Sequence, residues 1–224
     1  MADTKSRLKQ SYDAIAERYT DWAVKNSALR IKYLDRLLSL LPPTANNSGP
    51  LKALELGCGA GVPVTQTLLA SPGGRKFSVV ANDLSDSQLA LGRAKLGEGP
   101  NVGVEWLQGD MNSLEFAEGS FDVVIALYSI IHLPRDEQPE MLRKVAKWLK
   151  PGGLVLVNFG IEEVEAEETE DWLGAWMVWS GWGVEGSMGK VKETGLEVVV
   201  EEVSPGDGVD ASFLWVIARK SVDG

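Results

Sequence analysis

Three alternating glycines, Gly57, Gly59 and Gly61, follow the short apolar run LKALEL and have the clearest chemical potential in the sequence. Glycines directly after a buried strand let backbone N–H groups approach a ligand at the edge of a sheet. Their spacing differs from the dinucleotide pattern G-x-G-x-x-G. The acid Glu55, two residues before the first glycine, would repel a pyrophosphate and suits a ligand with an amine or a positive charge. The loop therefore favours a nucleoside cofactor without phosphates.

Two more acids end the next two predicted strands: Asp83 closes SVVAND, and Asp110 follows the third strand in QGDM. The carboxylate of Asp83, at the end of the second strand, can accept hydrogen bonds from both hydroxyls of a ribose. Each acid could instead cap a helix or a turn, and Glu55 could be a surface acid at a strand end. Because the three acids come in order at the carboxyl ends of successive strands, we interpret them as one cofactor site.

Apolar runs separated by glycine and proline breaks predict strands that alternate with helices. This alternation indicates an α/β fold with a doubly wound sheet and helices on both faces. The last two strands are joined through SPGDGVD without a helix, so they should form a hairpin that leaves one strand of the mostly parallel sheet antiparallel. Strands are predicted near residues 52–57, 77–82, 102–107, 121–127, 153–159, 196–203 and 212–219, and helices near 63–70, 85–96, 136–149 and 185–194.

Two further helices are predicted before the first strand. Apolar and aromatic residues at steps of four and three predict one face of a single N-terminal helix. A second helix near residues 27–41 stops before two prolines, and residues 44–50 are predicted as a linker. The residues of the N-terminal stripe are Leu8, Tyr12, Ile15, Tyr19 and Trp22.

These motifs resemble those of the class I S-adenosylmethionine-dependent methyltransferases over roughly residues 10–220. The resemblance is carried by ELGCGAG, NDLS, GDM, FDVVIALYSIIHLP and LKPGG, in this order. Within that superfamily the chain is similar to small-molecule enzymes of the methyltransferase type 11 and type 25 group, which share a YDAIAERY-like start. The resemblance implies a Rossmann-like sheet of seven strands. It also implies S-adenosylmethionine as the cofactor, with S-adenosylhomocysteine as the product.

The resemblance further implies what each cofactor-binding residue contacts. Glu55 and the glycine backbone should face the methionine and ribose part, Asp83 the ribose diol, and Asp110 the adenine amino group. Cys58, a small side chain within the glycine loop, should lie under the cofactor. The full set of expected contact residues is Tyr19, Glu55, Gly57, Cys58, Gly59, Gly61, Asp83, Leu84, Asp110, Met111 and Leu127.

His132, the only histidine, follows the fourth strand in YSIIHLP and should lie beside the transferred methyl group. There it could take a proton from an acceptor hydroxyl, thiol or amine. Alternatively, it caps a loop or packs under Leu133 and Pro134. Methyl transfer from a sulfonium is an in-line displacement that mainly needs alignment and exclusion of water, so a strong base is optional.

Two segments are expected to cover the acceptor: the N-terminal helix with Tyr12, and the segment that contains Trp172, Trp176 and Trp179. Because the three tryptophans recur at helical steps, they are predicted to share one face of a helix. That face could pack against the core instead of covering the acceptor. The preceding acidic run, EEVEAEETED, is predicted to be a solvated loop. Recognition of an amine acceptor by this run stays an open alternative.

The composition fits one soluble domain, since the chain has 224 residues of which 44% are hydrophobic. We divide it into an N-terminal helical lid (1–50), a cofactor-binding core (51–160), an acceptor-side lid (161–190) and a C-terminal helix end and hairpin (191–220). No apolar signal core or membrane-spanning stretch is recognised, so a cytoplasmic location without membrane contact is expected. A single cysteine excludes an internal disulfide, and no Cys/His cluster indicates a metal.

The formal net charge of −10 is concentrated near the C-terminus, where residues 160–224 hold fifteen acids and four bases. We therefore expect no nucleic-acid partner, because phosphate binding needs a basic face. The sequence predicts a methyltransferase that transfers a methyl group to O, N or S of a small-molecule acceptor, and it indicates no particular oligomeric state. One alternative is a non-catalytic protein of this fold that acts through partner contacts. A nicotinamide oxidoreductase is disfavoured by the glycine spacing and the C-terminal hairpin.

Overall fold

The computed structural model describes residues 2–43, 49–70 and 72–222. Its strands are β1 (Leu51–Leu56), β2 (Phe77–Asp83), β3 (Val104–Gln108), β4 (Phe121–Ala126), β5 (Leu149–Gly160), β6 (Glu163–Trp172), β7 (Ala175–Trp182), β8 (Glu197–Pro205) and β9 (Ser212–Arg219). Its α-helices are α1 (Ala2–Ala14), α2 (Ala16–Lys25), α3 (Ala28–Leu40), α4 (Val64–Leu69), α5 (Asp86–Leu96), α6 (Gln138–Trp148) and α7 (Gly183–Glu193). The predicted linker over residues 44–50 lies mostly outside the described residues.

Seven of the strands form one sheet in the order β3-β2-β1-β4-β5-β9-β8. Strands β1 to β5 run parallel, and β9 lies antiparallel between β5 and β8. The chain order reverses between β1 and β4, which is where doubly wound sheets bind ligands beyond the carboxyl ends of their strands. The predicted mostly parallel sheet with a C-terminal hairpin is confirmed.

Two helical layers cover the sheet, and the central strand β4 shows why the sequence requires both. Val123 and Ile125 belong to a core shared with α3, α4 and α5, whereas Val124 and Ala126 belong to a core shared with α6 and α7. All four side chains are fully buried. A strand that is apolar on both faces is stable only when both faces are covered, as in parallel sheets.

The N-terminal stripe forms two helices rather than the predicted single one. The helical backbone is interrupted at Ile15, between α1 and α2. The stripe nevertheless faces inwards, because Leu8 and Ile15 are buried in a small core with Trp176, Met177 and Val178 of β7. Tyr12 and Tyr19 of the same stripe are only partly buried.

The prediction that Trp172, Trp176 and Trp179 share one face of a helix is wrong. These residues lie in an antiparallel hairpin formed by β6 and β7, outside the main sheet. Leu173 and Gly174 both have positive φ, as the two central residues of a tight hairpin turn require. The aromatic and branched residues of β7 favour a strand, and a match to helical steps over so few residues did not outweigh this preference.

The predicted acidic loop is likewise a strand, β6, with most of its residues exposed. Arginines on neighbouring elements offset part of its charge. Arg135 pairs with Glu163 and Glu165, and Arg7 pairs with Glu168 and Glu170. The loop conformation was predicted from the charge of these residues alone, whereas their formation of a strand depends on pairing with the apolar strand β7.

Candidate active site

Two adjoining cavities lie at the carboxyl ends of the parallel strands. The smaller, a cleft of about 70 Å³, runs between the strand ends and α1. The larger has a volume of about 540 Å³ and extends towards the β6–β7 hairpin and the β8–β9 loop. Four side chains line both cavities: Tyr12, Tyr19, Tyr128 and His132. We refer to the two spaces as the strand-end cleft and the large cavity.

The strand-end cleft brings together most of the residues that the sequence singled out. Its lining includes Tyr12, Tyr19, Gly57, Gly59, Asp83, Leu84, Asp110, Met111 and His132. Gly59 has a φ of 55°, and a Cβ there would lie 3.3 Å from the Tyr19 ring. The missing side chain therefore leaves room between the glycine loop and α2.

Asp83 ends β2 and orders the turn around it. Its two carboxylate oxygens accept hydrogen bonds from the backbone N–H of Gly59, at 2.7 Å, and of Ser85, at 2.8 Å. Burial raises the pKa of Asp83 to about 6, although these backbone hydrogen bonds oppose the shift. Each oxygen keeps a further lone pair for a ligand hydroxyl.

Asp110 caps a turn, which is one of the alternatives that the sequence left open, and it also pairs with a lysine of α1. One oxygen caps the turn Met111–Ser113 by accepting from Asn112 N, and the other accepts from Lys5 Nζ at 2.6 Å. Lys5 also donates to Glu137 at 2.5 Å. These two ion pairs of Lys5 join α1 to the far wall of the strand-end cleft. They were not predicted from the sequence, because they depend on residues that are far apart in the chain.

Four predicted cofactor contacts lie behind the cavity walls: Glu55, Cys58, Gly61 and Leu127. Glu55 accepts a hydrogen bond from Thr65 Oγ1, and burial raises its pKa to about 8. A Cβ on Gly61 would lie 2.7 Å from the Trp106 ring, so this glycine permits close packing. Cys58 and Leu127 are core residues. Two of the four, Cys58 and Gly61, belong to the glycine loop itself, and none of the four lines either cavity.

His132 is partly buried and has a defined tautomer. Its Nδ1 lies 2.7 Å from the carbonyl oxygen of Val178, which can only accept, so Nδ1 carries the hydrogen. Its Nε2 then accepts from the Tyr12 hydroxyl, at 2.8 Å. Burial lowers the pKa of His132 to about 4, so the ring is neutral at physiological pH. The histidine thus orients Tyr12 at the junction of the two cavities.

Arg30 is a site residue that sequence reasoning missed. It is only 5% exposed, and its guanidinium carbon lies 4.3 Å from the Tyr128 ring centre and 5.5 Å from that of Trp22. Its Nη1 donates to Asn26 O, whereas Nη2 has no hydrogen-bond partner among the described residues. The signal in the sequence is an arginine at a core-facing position of α3, on the same stripe as Leu34 and Leu37.

Tyr128 was also missed, and its backbone is unusual. It has a φ of 54°, a left-handed conformation that non-glycine residues rarely adopt. Its N–H donates to Asn158 Oδ1 at 2.6 Å, which holds it there. Such strained positions concentrate at functional sites. The ring consequently stands between the two cavities, against Arg30 and Phe213.

Aromatic side chains dominate the large cavity. Trp172 lies 5.5 Å from Trp22 and 6.3 Å from Trp179 between ring centres, in edge-to-face arrangements. Trp176 is on the other face of the hairpin, where Arg7 covers its ring and Glu168 accepts from its N–H. Of the three tryptophans predicted to cover the acceptor, two therefore line the cavity and Trp176 does not.

No helix among the described residues is both long and apolar enough to span a membrane. No group of three or more His, Cys, Asp or Glu side chains in this part of the chain converges as a metal site would require.

The cleft at the switch point, its glycine loop and the acids at the ends of β2 and after β3 define a Rossmann-like protein with a candidate ligand site. Residues 53–153 match the family described as a methyltransferase domain. Demethylmenaquinone methyltransferase of Lactococcus lactis is 28% identical over 152 residues, which are 68% of this chain and 58% of that enzyme. The chain thus spans less than two thirds of the length of this relative.

Solved structures show the same fold. The 1,6-didemethyltoxoflavin-N1-methyltransferase of Burkholderia thailandensis, solved with its acceptor and S-adenosylhomocysteine, superposes with a TM-score of 0.68 at 18% identity, covering 98% of this chain and 88% of that one. The DhpI complex with S-adenosylhomocysteine superposes with a TM-score of 0.70 at 18% identity, covering 99% and 98%. Over residues 53–153 the chain matches a methyltransferase domain, and its fold is that of a solved methyltransferase, in line with the resemblance.

Proposed function

We propose that the chain transfers a methyl group from S-adenosylmethionine to a small molecule held in the large cavity. The observation that carries this proposal is the shared wall formed by Tyr12, Tyr19, Tyr128 and His132. A cofactor in the strand-end cleft and an acceptor in the large cavity would meet there. The named activities of the similar proteins, on a menaquinone precursor and a toxoflavin precursor, support a small-molecule acceptor.

Residues of the strand-end cleft, together with Arg30 of the large cavity, fit the cofactor. Asp83 offers two carboxylate oxygens to the ribose hydroxyls, and Gly59 leaves a gap that a side chain would fill. Arg30 has an unsatisfied buried Nη2 and lies close enough to Tyr19 to counteract the rise that burial causes in the tyrosine pKa. An arginine in this state suits a carboxylate, so we assign the methionine carboxylate to Arg30 and Tyr19.

The cleft must open before it can take a nucleoside, because about 70 Å³ is well below the roughly 300 Å³ at which ligand pockets begin. Its cover is α1, which is held by the ion pairs of Lys5 with Asp110 and Glu137. Exchange of these ion pairs for cofactor contacts would let α1 move aside and admit the adenine beneath it, as expected of the N-terminal lid.

The cofactor, when bound, supplies an electrophilic methyl group on a sulfonium. The chain's own residues then hold the acceptor in line and keep water away. Tyr12 and His132 are neutral, and their hydrogen bond fixes the Tyr12 hydroxyl at the shared wall. With a pKa of about 4, His132 is a weak base at neutral pH, so we assign it the positioning of Tyr12 rather than proton removal.

Affinity for S-adenosylhomocysteine should fall as the pH falls through about 6. The ribose hydroxyls donate to the ionised form of Asp83, whose pKa is about 6, so protonation removes the acceptor. One unit below a pKa only about a tenth of the carboxyl is ionised, and we expect Kd to rise about tenfold between about pH 7 and pH 5. Calorimetric titration checks this. Asp83→Asn should bind weakly with little pH dependence, whereas an unchanged Kd in the parent protein would contradict the role of Asp83.

The function itself is tested with S-adenosylmethionine labelled on its methyl group and a small-molecule extract offered as acceptor. We expect label in a small-molecule fraction, none in added tRNA or DNA, and loss of transfer with Asp83→Ala. Cofactor binding without transfer to any acceptor would favour the alternative of a non-catalytic protein with this fold. The division into lids and core, and a cytoplasmic location, stay predictions from the sequence.

A further inference from the structure

The large cavity carries more negative than positive charge on its walls. Its ionisable lining residues are Arg30, Glu162, Glu167 and Asp210, together with a His132 that is neutral because burial lowers its pKa to about 4. Arg30 is buried, whereas the three acids are exposed. The acids therefore stand at the mouth of the cavity, and the arginine belongs to its inner wall.

The hairpin acids divide according to the face on which they lie. Five of the seven acids in residues 162–171 have a partner: Glu163 and Glu165 on Arg135, Glu168 and Glu170 on Arg7, and Asp171 on Gly174 N. The other two, Glu162 and Glu167, line the large cavity, and within the described residues their side chains make no hydrogen bond or ion pair. Asp210 lies across the cavity on the β8–β9 loop, and its side chain likewise makes no hydrogen bond or ion pair with the described residues.

Aromatic faces adjoin these unpaired acids. Glu167 lies directly opposite Trp179 in the β6–β7 ladder, and side chains opposite each other in such a ladder are in contact range. Trp172 and Trp22 continue the aromatic wall. Aromatic faces next to carboxylates attract ammonium groups, because the negative face of the ring quadrupole and the negative carboxylate both attract a cation. The same walls would repel a carboxylate.

We propose that the acceptor is a flat, apolar molecule with a cationic amine remote from the methylated atom, and that this amine lies at the cavity mouth between Glu162, Glu167 and Asp210. The inference rests on the proposed function, because it assigns the inner end of the molecule to the shared wall with the cofactor cleft. A volume of about 540 Å³ accommodates such a body, since ligand pockets typically measure about 300–1,000 Å³. The net charge of −10 also attracts cations towards the protein.

The test uses three probes that share one ring system and differ in charge: naphthylethylamine, naphthylethanol and naphthylacetate. Each is titrated calorimetrically into the full chain saturated with S-adenosylhomocysteine. We expect the amine to bind about tenfold more tightly than the alcohol, and the acetate to bind most weakly. The double variant Glu167→Gln with Asp210→Asn should reduce the preference for the amine to about twofold. The matched control Glu165→Gln, on the other face of the hairpin, should leave it unchanged.

Three results would overturn the inference: equal affinity for amine and alcohol, an equal loss with Glu165→Gln, or no binding of any probe to the saturated protein. Saturation with S-adenosylhomocysteine is measured first and separates the two proposals. Failure at that step contradicts the proposed function, whereas cofactor binding without a preference for the amine contradicts only the identity of the acceptor.

Discussion

Replacement of Asp83 by alanine should raise the Kd for S-adenosylhomocysteine at least about 100-fold. The change removes two hydrogen bonds to a charged acceptor, each worth about 1.5–3 kcal/mol, and a tenfold change in affinity corresponds to about 1.4 kcal/mol. It also releases the N–H groups of Gly59 and Ser85, which Asp83 holds at 2.7 and 2.8 Å. The glycine loop would then lose its fixed position under the ribose. Calorimetry of the purified variant measures the effect.

The control for this variant is Asp86→Ala, three residues further on. Asp86 is also an acid near the cleft, but its side chain is 68% exposed and pairs with Lys9. The two variants change the net charge equally, and we expect Asp86→Ala to alter Kd by no more than about twofold. Thermal unfolding of both variants shows whether the fold is retained. A similar loss in both, or no loss with Asp83→Ala, would contradict a direct contact with the ribose.

Replacement of Gly57 by alanine should destabilise the protein by about 2–5 kcal/mol. The left-handed backbone at this position, with a φ of 70°, costs an alanine about 1–2 kcal/mol. The new Cβ would also lie 2.4 Å from Cβ of Ser129, and overpacking of this kind adds about 1–3 kcal/mol. The strand-end loops after β1 and β4 would have to separate. Urea unfolding gives the change in the free energy of unfolding.

Two comparisons separate the steric cost from the backbone cost. Gly74→Ala has a similar φ of 77° with nothing within 4 Å of the new Cβ, so it should cost only about 1–2 kcal/mol. Adding Ser129→Gly to Gly57→Ala removes the clash, so the alanine should cost less in that background. If Gly57→Ala costs no more than Gly74→Ala, the close approach of the two loops is not a feature of the folded protein.

The sheet was predictable because its signals are local. A strand that is apolar on both faces, such as β4, or an apolar run that ends at a glycine, such as β1, indicates a buried parallel strand without knowledge of its partners. The C-terminal hairpin followed from the absence of a helix between the last two strands. Asp83 and Asp110 were predictable for the same reason, because a residue that ends a parallel strand must reach the ligand-binding edge of the sheet.

The β6–β7 hairpin was not predictable in this way. The apolar residues of β7 fit the spacing of one helix face as well as they fit the alternation of a strand. The acidic strand β6 has no apolar pattern of its own. Only the pairing of the two strands and the contact with α1 select the hairpin. Consequently Trp176 was assigned to the acceptor side, whereas it packs against Arg7.

The missed site residues depend on contacts between distant parts of the chain. The left-handed backbone of Tyr128 is held by Asn158, thirty residues away, and Lys5 reaches Asp110 across the cleft. Neither contact leaves a pattern in a single sequence. Arg30 is different, because a charged residue on the buried stripe of α3 is a local signal of a functional cation.

Calorimetric titration of the full chain with S-adenosylmethionine, S-adenosylhomocysteine and a nicotinamide dinucleotide tests the central claim most directly. The structure predicts that the first two bind with Kd values on the order of micromolar and that the dinucleotide does not bind, because the glycine loop lacks the dinucleotide spacing. Failure of both sulfur-containing ligands to bind, or tight binding of the dinucleotide, would contradict the account of this cleft as a methyl-donor site.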